Sequence, residues 1–185
     1  MGPRSRLLIA CLLLISARTA SAQDSAGNIS VFADQAASSC SITDTTPHVL
    51  TLYVLHTNFS GMLSSDFRLS ASSGFLATYL SETYSQPGHV GDFRNGISFG
   101  YGVCTTGPLL LGSISYQAHG TSEACSYLDV VAWRFPWPAT EDCIFEDHPA
   151  PPLGKLYVNP SPQCQPYCAV ATEPTTWGSV KALYR

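Results

Sequence analysis

The stretch "VLTLYVL", Val49 to Leu55, carries the strongest secondary-structure signal in the chain and sets its fold class. It is short, rich in Val, Leu and Tyr, and nearly continuously apolar, as a central strand of a sheet is. Six further runs of the same kind surround it, separated by turn residues: Ile29 to Ala33, Asp66 to Ala71, Phe75 to Glu82, Ile97 to Val103, Leu109 to Ala118 and Tyr127 to Trp133. In "DFRLSA", period-two alternation places Phe67 and Leu69 on one face and Asp66 and Arg68 on the other. His56 ends the strongest run and reads as a surface residue. Seven short runs with regular turn signals predict an all-β chain built as a single antiparallel β-sandwich over residues 23–134.

Upstream of this core, Arg4 and Arg6 precede an apolar run from Leu7 to Ile15, and Ala20-Ser21-Ala22 completes a signal-peptide pattern over residues 1–22. The apolar run is shorter than the ~20 residues a spanning helix needs. Cleavage after Ala22 leaves six Lys and Arg against 13 acids, a net charge of −7. So acidic a chain lacks the clustered cations that nucleic acid or an anionic membrane requires. No membrane insertion is expected after cleavage, and the protein is placed as secreted, periplasmic or cell-surface.

Cys11 leaves with the signal, and six cysteines remain: Cys40, Cys104, Cys125, Cys143, Cys164 and Cys168. An even number in an exported chain predicts three disulfides, whose pairing the spacing leaves open. Three of the six lie in a compositionally distinct segment, residues 135–174. There, seven prolines fall between Pro136 and Pro162 and four acids between Glu141 and Asp147. Proline withholds a ladder donor, so the segment is expected as an irregular flap on the same domain, with at most short edge strands such as Leu156 to Val158.

Candidate chemistry is sparse. "GISFG", Gly96 to Gly100, matches G-x-S-x-G, with Asp129 and His148 behind Ser98 in chain order. A nucleophile elbow needs a helix after the serine, whereas this run continues as strand. Glu82, Glu123 and Asp129 are formally available for carboxylate chemistry, which depends on a separation in space. Glu141, Asp142, Glu146, Asp147 and His148 offer oxygen and nitrogen ligands without the spacing of a calcium loop. No catalytic, cofactor or metal residue is therefore assigned, and no cofactor is expected.

Trp133, Phe135 and Trp137 in "WRFPW" fall on one side if the segment is extended, and are the candidate ligand contacts. The plainer expectation is that they plug one end of the core. The ending "TTWGSVKALYR" predicts a short helix over residues 175–185. Thr175 or Thr176 would cap it, and Trp177, Val180 and Tyr184 form an apolar stripe for docking onto the sandwich, the alternative being a tail that serves as a terminal recognition tag. The sequons at Asn28 and Asn58 matter only where exported Asn is glycosylated.

From "VLTLYVLHTNFSG" through "MLSSDFRLSASSGFLATYLSE", "TYSQPGHVGDFRNG", "ISFGYGV" and "LLLGSISYQAHG" to "SYLDVVAW", the order and spacing of the runs resemble the cohesin-type module. That module is a jelly-roll-like, broadly Ig-like sandwich that bacteria use outside the cell. The resemblance covers about half of the chain, implies the fold, and departs from the family in its cysteine framework. No binding residue is carried over. The whole chain is also similar to exported bacterial proteins of uncharacterised function. The expectation is a non-catalytic binding or surface-structural module for a protein or glycan partner. A small secreted hydrolase and a coat or appendage subunit are the alternatives.

Overall fold

Val49 to Leu55 lies inside an eleven-residue strand paired on both sides, as its apolar character requires. The computed structural model describes residues 25–166. Twelve strands form there: β1 (Asn28–Phe32), β2 (Ser41–Ile42), β3 (Pro47–Thr57), β4 (Ser60–Ala71), β5 (Thr78–Tyr84), β6 (Gly88–Asp92), β7 (Gly96–Thr106), β8 (Leu109–His119), β9 (Ser126–Val131), β10 (Ala139–Asp142), β11 (Asp147–Pro149) and β12 (Leu156–Val158). The described residues contain no helix. The signal segment 1–22, Cys168, and the C-terminal helix with its Trp177, Val180 and Tyr184 stripe lie outside them.

Two sheets stack face to face. The smaller has the order β1-β3-β8-β5. The larger, of eight strands, runs β11-β10-β4-β9-β12-β2, with β7 on the other flank of β4 and β6 beyond it. β4 organises the larger sheet: its first half pairs with β7 and β10, and Arg68 to Ala71 pair with β9. All pairs are antiparallel except the two-residue contact of β12 with β2, where two distant connecting segments meet at the edge. Between the sheets, Leu52, Val54, Leu111 and Ile114 meet Phe67, Leu69, Ile97, Phe99, Leu128 and Val130. Phe67 has ring centroids 6.1 Å from both Phe93 and Phe99. Each such fully buried side chain contributes about 1.5–3 kcal/mol by leaving water.

Three departures from the sequence reading concern the strands and the core. β5 begins at Thr78 rather than Phe75, because Phe75 closes a turn by donating its N–H to Ser72 O. The Pro-rich segment supplies more than irregular chain. β12 stands where a short strand was expected, but β10 and β11 also form, adding an antiparallel hairpin beside β4. Pro149 is tolerated because β11 is the sheet edge.

The third departure is His56, which is fully buried instead of exposed. It continues the inward series Leu50, Leu52, Val54. Its Nε2–H donates to Ala26 O (2.7 Å), its Nδ1 accepts from the Tyr101 hydroxyl (2.8 Å), and its ring stacks 3.8 Å from Phe59. A carbonyl can only accept, so this arrangement selects the neutral Nε2–H tautomer. Burial lowers the His56 pKa to about 4.

Disulfides join Cys104 to Cys143 and Cys125 to Cys164, with Cα atoms 5.7 and 5.6 Å apart. Cys40 is disulfide-bonded as well. The first bridge ties the end of β7 to the β10–β11 turn. The second ties the start of β9 to the segment after β12.

Candidate functional site

Alternation along β4 and β7 sends Phe67, Phe99 and Ile97 into the core and turns their neighbours to the opposite face. Cross-strand register then assembles two rows on that outer face. One row runs Val90, Ser98, Asp66, Ala139, Pro149 across five strands. The next runs Gly88, Gly100, Ser64, Glu141, Asp147. The two glycines keep part of the floor low. Above it, the bend after β9 carries Arg134 and Phe135 back across the strands. Together with Ser64, Asp66, Ser98, Glu141 and Asp147 they enclose a polar concavity of about 280 Å³.

Asp66 was expected on the solvent face but is only 8% exposed, because the returning chain covers it. Ser98 Oγ donates to Asp66 Oδ2 at 2.6 Å, the Arg134 N–H reaches Oδ1 at 3.4 Å, and the Arg134 guanidinium stands 3.8 Å from Oδ2. Ser64 Oγ donates to Glu141 at 3.3 Å. The acid at the centre is thus compensated, while Glu141 and Asp147 hold the rim negative.

"GISFG" has a structural explanation. Gly96 sits at φ +125°, a backbone conformation rare for side-chain-bearing residues, and a Cβ there would collide with the Trp133 indole. Ser98 follows within β7, which continues as strand to Thr106. Its chain-order partners are elsewhere: Asp129 faces Lys155 at 3.9 Å, and His148 Nε2 bonds Asp142 at 2.8 Å. Partial burial raises the Asp129 pKa against the opposing pull of Lys155. Glu82, on the smaller sheet, accepts from Phe93 N–H (2.9 Å) and the Tyr79 hydroxyl (3.2 Å). Glu123 packs against Gly74 in the connection before β9.

The aromatic segment bends between residues 132 and 138 rather than running extended, so its three rings do not form a single row. Nor do they plug the core. Trp133 is half-buried on Gly96 with the Arg134 guanidinium 4.1 Å over its ring, Phe135 is half-buried in the concavity, and Trp137 remains 41% exposed.

Of the acidic run, Glu141 and Asp147 face the concavity, while Asp142, Glu146 and His148 form a separate group with ligand atoms within 4.8 Å of one another. There, Asp142 Oδ1 accepts the Ile144 and Glu146 N–H groups, each at 2.9 Å, and its Oδ2 meets His148. The Glu146 N–H is the main influence holding the Asp142 pKa low, with His148 next. The carboxylate is committed to shaping the hairpin turn.

Sequence reasoning missed Arg134 and the β10–β11 hairpin, since only the fold brings them over β4. The burial of His56 was available in the alternation from Leu50.

No protein-family model matches the chain, and no curated protein matches it. Solved structures do. The cohesin of a type I cohesin–dockerin complex from Clostridium thermocellum superposes with a TM-score of 0.50 at 12% identity, over 71% of this chain and 99% of that one. The cohesin module of a family 33 glycoside hydrolase from Clostridium perfringens gives 0.51 at 7% identity, over 74% and 98%. The chain is a cohesin-like β-sandwich.

Proposed function

We propose that the chain is a secreted, non-catalytic module that binds a protein partner on the outer face of its larger sheet. The observation that carries this reading is the concavity over β4, β7 and β10, where a compensated Asp66–Arg134 centre is framed by a negative rim and half-exposed aromatic rings. Such a surface offers oriented polar contacts beside apolar area, as recognition sites do. The Clostridium thermocellum structure of like fold is a complex with a dockerin, which supports a protein partner. The disulfides support an oxidising compartment. The Ser98 hydroxyl donates its hydrogen bond to a carboxylate already held by Arg134, and this supports recognition over turnover.

The test immobilises residues 23–185 and passes over them the envelope and extracellular fraction of the producing organism. One protein should be retained by the wild type and lost with Asp66→Ala or Phe135→Ala. Retention of a glycan alone, or hydrolysis of ester or glycan substrates that disappears in Ser98→Ala, would refute the reading.

A further inference from the structure

We propose that the β10–β11 turn is a preformed apolar plug that seats in a pocket of the partner rimmed by Lys or Arg. Ile144 is 69% exposed and Phe145 74%, the two most exposed large apolar side chains among the described residues. Large apolar side chains gathered at one exposed tip mark an interaction surface.

The turn is held in shape before any partner arrives. Asp142 Oδ1 accepts from Ile144 and Glu146 N–H, Asp142 O accepts from Phe145 N–H at 3.1 Å, and Cys143 N–H donates to Gly61 O at 3.1 Å. Phe145 is kept at φ +68°, a conformation that disfavours a bulky side chain and that these bonds impose. A rigid apolar tip loses little entropy on docking.

Charge identifies the occupant. Glu146 and Asp147 are exposed directly after the tip, and the hairpin that carries it is acidic, so the complementary pocket carries a cationic rim. A second copy of this chain would bring two acidic hairpins together.

This inference rests on the reading that the partner is a protein, and uses the protein retained in the experiment above as its probe. Phe145→Ser should weaken its Kd about tenfold or more, as loss of a central apolar anchor does. Glu146→Lys should also weaken it. Val49→Ser, which removes another exposed apolar side chain, from the smaller sheet, should leave it unchanged. A photo-crosslinking residue at position 145 should label a partner peptide containing apolar residues and Lys or Arg. Wild-type affinity in a folded Phe145→Ser protein overturns the plug and leaves the binding module standing. So does a crosslink to residues 167–185 or to a second copy. If the wild type retains no protein, the module reading falls and the plug with it.

Discussion

Lowering the pH should destabilise the fold through His56 alone by about 3 kcal/mol. Its pKa drops from an ordinary 6.5 to about 4 in the folded chain, because burial of the imidazole outweighs the opposing effect of its bond to Ala26 O. Two and a half pK steps at 1.36 kcal/mol each give that magnitude. Between these values the unfolded chain binds more protons than the folded one, so stability is complete above pH 6.5 and is lost as pH falls towards 4. Protonation at Nδ1 would also remove the acceptor for the Tyr101 hydroxyl. The comparison is His56→Phe, which keeps a ring on Phe59 but cannot titrate. It also leaves Tyr101 and Ala26 O unpaired, and should cost about 1–3 kcal/mol per group at pH 8. Urea unfolding of oxidised protein at constant ionic strength, stepped from pH 8 to 4, measures both curves, and shared carboxylates cancel in their difference. Parallel curves, or an NMR titration of the His56 ring near 6.5, would refute the reasoning.

Two further outcomes follow from the geometry. Replacing Cys104 and Cys143 by Ala opens a bridge across 39 residues and should lower unfolding free energy by about 4 kcal/mol on the loop-entropy relation, read as a shifted urea midpoint. Gly96→Ala places a Cβ within the Trp133 ring at a positive φ, and should shift tryptophan emission and lower Tm as Arg134 and Phe135 lose their support.

"VLTLYVL" identified a central strand because six of its seven residues are apolar and such runs sit inside sheets, where β1 and β8 pair with it on either edge. "DFRLSA" likewise revealed its core face, since Phe67 and Leu69 alternate with polar neighbours and only one side of β4 meets the opposing sheet. Leu156 to Val158 was legible despite the surrounding prolines. Periodicity of two is a local property, so these features survive in the sequence alone. The same local rule assigned Asp66 to solvent, and failed because it carries no information about a chain segment returning from 68 residues away.

What the sequence determined by itself was therefore composition-level and local: short strands, their inward faces, and a cysteine content suited to bridges. The tertiary structure decided the pairing of Cys104 with Cys143 and Cys125 with Cys164, the docking of the Pro-rich hairpin on β4, and the meeting of Ser98, Asp66 and Arg134. Each of these joins residues more than thirty positions apart. Their proximity arises from strand register and sheet order, which no short window of residues encodes.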